Sequence, residues 1–301
     1  MAIWRTSGAG SIGDVYNAFS VLALILTVAT AIAATGQSAD QQTGASRVAL
    51  ASVTDPRNRP LVDVSADDFV IQEAGTPRDI LSVRPADYPI VILIDTGGEA
   101  RADFPLMQKA ATHFLDRIGQ RPIAIGTFGN VPKLVATFED ERQTVMQRLA
   151  AIAADTSAGS LLLQGAALAG ETIRATGTLF SAVVILSATP IDASRNPADD
   201  MIAPVVDSNA ILHIVANRPG QIAGGGRGNN TLRALAEQSR GELTVIYSSS
   251  SYQAALDRLA DRLTSEMMIE YLVPVGSKPH DVKVGIRIVG AKVRGLGVAP
   301  R

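Results

Sequence analysis

Two hydrophobic spacings alternate along the middle of the chain. Pro89 leads into Ile90–Ile94, five consecutive aliphatic residues that end in Asp95-Thr96-Gly97-Gly98-Glu99. A short apolar run bounded by turn residues reads as a strand buried on both faces, of the kind found in parallel sheets. Residues 123–128, 182–186, 210–216 and 243–247 repeat the pattern, and 134–138 reads as a strand paired with 123–128. Between these runs the spacing becomes helical. Residues 103–118 place Phe104, Met107, Ala111, Phe114, Leu115 and Ile118 on one face. Residues 139–153, 160–175, 230–239 and 252–264 do the same, the last with Leu256, Leu259 and Leu263 inward. Strands alternating with helices predict βαβ units and a mostly parallel sheet between helical layers.

The flanks read differently. Weak alternation over 47–53 is followed by turn residues at 55–60, short β-prone runs at 61–64 and 69–71, a turn at 73–77 and a strand at 80–83. This segment is too small for a core of its own and is expected to pack on the α/β region. After the α/β region, 267–275 reads as a strand, while 281–289 alternates polar and apolar residues almost strictly and 292–298 continues in kind. That pattern predicts antiparallel strands with one solvated face. The expected fold is α/β and Rossmann-like: a central, mostly parallel sheet flanked by helices over 87–266. A small β module is drawn from the flanking segments 47–86 and 267–301.

Ahead of the β segment, residues 18–34 carry no charge and hold Phe19, Val21, Leu22, Leu24, Ile25, Leu26 and Val28, with Arg5 upstream and Ala31-Ile32-Ala33-Ala34 at the close. A run of roughly 17 residues is at the lower limit for spanning a bilayer, and its small-residue end suits a signal peptidase. Residues 1–34 are thus expected to be an export signal, or else a transmembrane anchor that attaches the protein to the membrane. Residues 35–46, rich in Gln, Ser, Gly and Ala, are the expected linker. On either reading the protein works outside the cytoplasm: periplasmic, secreted, or membrane-anchored facing outward.

Composition removes several chemistries. Of 301 residues, 27 are Lys or Arg and 29 are Asp or Glu, for a net charge of −2, with no basic cluster of the kind nucleic acid requires. Cysteine is absent and the three histidines, His113, His213 and His280, are scattered. Thiol nucleophiles and thiolate metal sites are excluded, and a zinc site is disfavoured. The glycine-rich stretch at 224–228 lacks the Lys-Ser/Thr of a P-loop and reads as a loop, with Asn229 or Asn230 as helix N-cap. Ser187 lacks the flanking glycines of a nucleophile elbow. Asp95-Thr96-Gly97 matches the aspartic-protease triplet. Those enzymes need a second aspartate to share the proton, so this chain would have to dimerise, and they are all-β.

Several stretches together resemble a known family. Val53-Thr54-Asp55-Pro56-Arg57-Asn58-Arg59-Pro60-Leu61 and Asp68-Phe69-Val70-Ile71-Gln72-Glu73-Ala74-Gly75 precede the strand into Asp95. Leu232-Arg233-Ala234-Leu235-Ala236-Glu237-Gln238-Ser239-Arg240-Gly241, then Glu270-Tyr271-Leu272-Val273, come after it in order. The chain is similar over about residues 47–298 to von Willebrand factor type A proteins of the exported bacterial kind. That resemblance implies a non-enzymatic module whose partner is another protein, bound through a metal-ion-dependent adhesion site. In that motif, D-x-S-x-S with a distant Thr and Asp, a carboxylate and hydroxyls hold Mg²⁺ or Mn²⁺. Here Asp95 holds the first position, Gly97 and Glu99 replace the two serines, Ser160 keeps the hydroxyl of the distant threonine, and Ala188 replaces the second aspartate. The candidate metal ligands are therefore Asp95, Glu99 and Ser160 in a degenerate site, with Asp192 in an adjacent loop. The opposing expectation is that Asp95 caps its adjoining turn and that binding needs no metal or uses another face.

Overall fold

The computed structural model describes residues 44–154, 159–193, 198–218 and 227–300. The expected export signal or anchor, most of the linker and residues 224–226 of the glycine-rich stretch lie outside them. Among the described residues, no helix is long and apolar enough to cross a membrane.

The α/β region is built on a six-stranded sheet. Its strands are β5 (Ile90–Ile94), β6 (Ile123–Thr127), β7 (Lys133–Ala136), β8 (Ala182–Ser187), β9 (Ile211–Asn217) and β10 (Glu242–Ile246), in the order β10-β9-β8-β5-β6-β7. All neighbours are parallel except β7, an antiparallel edge. The helices are α1 (Phe104–Arg117), α2 (Arg142–Ala150), α3 (Leu162–Arg174), α4 (Ala198–Asp207), α5 (Arg227–Gln238) and α6 (Tyr252–Thr264).

The two-residue period of a strand explains why its aliphatic run is unbroken. Ile90, Ile92 and Ile94 of β5 face one core with α1 and α6, whereas Val91 and Leu93 face a second core with α3 and α5. β8 divides the same way, Val184 and Leu186 to the first core, Val183 and Ile185 to the second. A polar residue at any position of either run would therefore face a helix-covered core, whichever side it points to.

The flanking strands are β1 (Gly44–Thr54), β2 (Phe69–Glu73), β3 (Thr76–Arg78), β4 (Ile80–Pro85), β11 (Glu266–Pro274), β12 (Val282–Ile286) and β13 (Lys292–Pro300). They form two antiparallel sheets that mix both ends of the chain, β13-β1-β11-β4 and β12-β2-β3. β1 starts at Gly44, inside the expected linker. It is buried on both faces: Val48 and Leu50 join the first α/β core, while Ala49, Ala51 and Val53 join a third core with Phe69, Ile71, Met267, Ile269 and Tyr271. The amino-terminal segment alone has no core, as expected, but together the two ends enclose one.

Four local expectations are corrected. Residues 61–64 form no strand; Pro60 bridges Thr54, and Val62 is exposed. No sheet edge is offered there, and Leu61 and Val64 only pack against the third core. Helix α4 was hidden by Pro204 in its interior, a residue that normally ends a helix pattern. α2 starts later than its apolar spacing suggests, because the Asp140 carboxylate accepts from the Thr137 amide at 2.8 Å and closes a turn first. α5 begins at Arg227, so Asn229 and Asn230 lie within it and not at its N-cap position.

Two buried polar clusters tie the layers together. In the first, Arg47 of β1 pairs with Glu73 of β2, with Arg78 Nε of β3 3.6 Å from the other carboxylate oxygen and Ser277 Oγ 3.0 Å from Arg47 Nη2. Arg47 and Glu73 are both buried, so this pair bolts the two small sheets to each other. In the second, the Tyr88 hydroxyl, at the entry to β5, donates to the buried carboxyl of Glu266 in β11. The Arg121 guanidinium lies 4.8 Å over the Tyr88 ring and donates to the Leu263 carbonyl at 2.7 Å. Burial pushes the Glu266 carboxyl up to about 7, against the lowering effect of Tyr88 and Arg121.

Both clusters generate measurable outcomes. Glu73→Ala strands the Arg47 charge in the interior and is expected to cost about 3–5 kcal/mol in urea unfolding. Glu266 binds its proton more tightly folded than unfolded. Its contribution is therefore fully present below the ordinary value of 4.5 and is lost as pH rises through about 7. Glu266→Gln removes that loss, so the variant should gain roughly 3 kcal/mol on wild type between pH 4.5 and pH 8.

Candidate functional site

Parallel α/β sheets keep their ligand sites at the carboxyl ends of their strands. Asp95 occupies that position on β5, in the middle of the sheet. Its backbone amide still donates to the Leu186 carbonyl of β8 at 2.9 Å, so the residue is locked to the sheet before its side chain makes any contact. The carboxylate has no exposed surface.

Its oxygens are occupied by the protein. Oδ1 accepts from the Gly97 amide at 3.0 Å and from the Ser160 hydroxyl. Oδ2 accepts from the Ala188 amide at 3.1 Å and lies 3.2 Å from Ser187 Oγ. The Ser187 hydroxyl also lies 2.6 Å from the Thr189 carbonyl, so its single proton is shared between two acceptors. The Asp95–Gly97 bond is the expected turn cap. A buried carboxylate held by two backbone amides and a hydroxyl has its charge spread over fixed donors and needs no counter-ion.

The neighbouring elements complete the face. The Tyr252 hydroxyl, at the start of α6, donates to the Ser187 carbonyl at 2.6 Å. Burial, with Asp103 and Asp95 nearby, raises its pKa. Asn217 at the end of β9 donates to Asp103 Oδ2 at 2.7 Å. Asp192 accepts the Leu163 amide at 3.1 Å in the first turn of α3, where a carboxylate suits the helix dipole. Gly129, in the loop after β6, approaches Thr96 so closely that a Cβ there would sit 2.7 Å from Thr96 Oγ1. Beside this loop lies a hollow of about 520 Å³ walled by Thr96, Thr127, Asn130, Val131, Lys133 and Arg148.

The structure thus brings two of the three predicted ligands together. Ser160 meets Asp95, but Glu99 is exposed on the short helical turn after Gly97 and makes no bond to either. Among the described residues, no three His, Asp or Glu side chains converge as a metal would require. The donor set does not fit Mg²⁺ or Mn²⁺. Such hard cations take several free oxygens, whereas two N–H dipoles here point at the lone carboxylate and would oppose a cation. Ala188, at the place of the second aspartate, supplies one of those N–H groups. The aspartic-protease reading needs an all-β fold and a second copy's aspartate beside Asp95, whereas the central sheet is mostly parallel and helix-covered and the Asp95 carboxylate has no exposed surface. Ser187, Tyr252 and Asn217 were not legible as site residues: each lies at an element end, and only the sheet order brings Ser187 and Tyr252 to Asp95 and Asn217 to Asp103.

Comparison with known proteins agrees on the fold. No family model matches the chain, and no curated protein matches its sequence. Among solved structures, it resembles a von Willebrand factor type A protein from Catenulispora acidiphila at 12% identity and a TM-score of 0.52, over 86% of this chain and 74% of that one. It also resembles proximal thread matrix protein 1 of the mussel byssus at 10% identity and a TM-score of 0.50, over 60% of this chain and 48% of that one. The chain has a von Willebrand factor type A-like fold with a Rossmann-like central sheet.

Asp95→Asn tests whether protein donors alone hold this site. One amide N–H of the new side chain must face a backbone N–H, so a buried donor loses its acceptor. The expected cost is about 1–3 kcal/mol in urea unfolding, equal in EDTA and in Mg²⁺.

Proposed function

We propose that the chain is a non-enzymatic, adhesion-type module that recognises another protein outside the cytoplasm without a bridging metal. The observation that carries this is the Asp95 carboxylate, spent on donors of its own chain instead of being presented to a cation. The fold supports the interaction class, and the apolar stretch at 18–34 supports export or membrane attachment.

The contact face consists of the loops at the carboxyl ends of β5, β6 and β8 and the entry to α3. Val131, after β6, and Ile191, after β8, are exposed. β6 and β8 flank β5 in the sheet, so these two apolar side chains stand on either side of the Asp95 loop. An apolar residue presented on a loop whose base is fixed by a buried hydrogen-bond hub is pre-organised, which lowers the entropic cost of docking.

A photo-crosslinking residue at position 131 or 191, in the full chain expressed in its native cells, should give a discrete adduct that persists in EDTA. Melting temperature should not respond to Mg²⁺ or Mn²⁺, since a ligand that binds only the folded state would raise it. An adduct lost in EDTA overturns the metal-free reading, and no adduct from either position overturns this face.

A further inference from the structure

A second site lies away from Asp95, toward the amino ends of β9 and β10. His213 of β9 pairs in register with Glu242, the first residue of β10, and both lie beneath α6. The His213 ring is buried, and its Nε2 has no hydrogen-bond partner among the described residues. His213 also walls a cleft of about 250 Å³ with Glu242, Thr244, Arg258 and Arg262. Arg258 and Arg262 are also in the wall of a second hollow of about 430 Å³, which adds Ser52, Thr54, Lys292 and Arg294 from β1 and β13. The two hollows share Arg258 and Arg262 of α6 as a wall and together make a cationic seam between the central sheet and the flanking one.

Its charge is unbalanced. Four cationic side chains line it against two carboxylates, Glu242 and Asp261. Asp261 is held by Arg117 at 2.5 Å and Glu242 by Arg262 at 2.6 Å. Arg258 and Arg294 have no carboxylate partner among the described residues, and both are exposed. Burial together with the Arg262 and Arg294 charges pushes the His213 imidazole down to about 3, so it is neutral and can donate a single N–H. Several guanidinium forks, a hydroxyl and a neutral imidazole, with cations in excess, match a polyvalent oxyanion better than a lone carboxylate, because a phosphate offers more acceptors and more charge.

We infer that this seam binds the phosphate group of a ligand, with Arg258 and Arg294 as the free forks, Arg262 shared with Glu242, and the His213 ring in the wall behind them. Nothing in the inference depends on the Asp95 face. Bound phosphate would join α6 to β13 and so couple the central sheet to the flanking one.

Calorimetry of the full chain with pyrophosphate, at constant ionic strength, should show one saturable site. The double variant R258A/R294A should weaken it by about tenfold or more, while Arg174→Ala, an exposed cation on α3, leaves it unchanged. Both altered arginines are exposed, so the double variant should melt as wild type does without pyrophosphate. The His213 ring nitrogen resonances should shift on binding. Vesicles of phosphatidylcholine with phosphatidic acid identify the source. Co-sedimentation lost in R258A/R294A assigns the phosphate to a lipid headgroup, and pyrophosphate binding without co-sedimentation assigns it to a solute. Absence of saturable binding to either probe, or equal binding by wild type and the double variant, overturns the inference.

Discussion

A carboxylate with no exposed surface has to be solvated by the protein, and at Asp95 that requirement shapes the whole upper face. The charge sits at the end of a strand whose aliphatic residues are covered on both sides, so it has no route to water along β5. The donors must come from other elements: the turn after the strand, the entry to α3 and the end of β8. Each arrives only if the sheet order and the helix positions are correct. The hub therefore reports the correctness of the fold as much as it decorates it. It also determines the chemistry available, because a carboxylate whose lone pairs are taken by amides is a poor cation ligand.

The same logic of enclosure runs through the flanking sheets. β1 and β11 are covered by the α/β core on one side and by the small three-stranded sheet on the other. Arg47–Glu73 and Tyr88–Glu266 are the polar contacts those layers enclose. A buried ion pair such as Arg47–Glu73 contributes little net stability and a large penalty when broken. The first contact ties β1 to β2 and to Ser277, and the second ties the entry to β5 to β11. The cationic cleft lies along the same seam, where α6 of the central domain meets β13 of the flanking sheet.

The elements of the α/β region were legible wherever one period dominated. Five aliphatic residues over Ile90–Ile94, and the heptad-like faces of 103–118 and 252–264, leave one regular conformation that buries them. Legibility failed where a local residue contradicted a tertiary demand. Pro204 sits inside α4, and Gly170 of α3 packs so closely on the Pro204 carbonyl that a Cβ would lie 2.5 Å from it. That helix exists because two helices fit together, not because its residues favour one. At the site, Asp95 and Ser160 were legible through motif spacing. Ser187, Tyr252 and the Ala188 amide were not, since a backbone N–H carries no signature in residue type.

The sequence by itself determined the α/β class, the β-prone ends, the absence of thiol chemistry and the presence of Gly97, Glu99 and Ala188 where the metal motif it resembles has two serines and an aspartate. These arise from residue type and from periods set by backbone geometry, which act within a few residues. Only the tertiary structure decided that the two ends interleave in two sheets around a third core. It alone showed that Glu99 stands away from Asp95, and that four cations and a buried histidine line two adjoining hollows along α6. Such facts depend on residues far apart in the chain, whose meeting is set by strand order and packing and leaves no local trace.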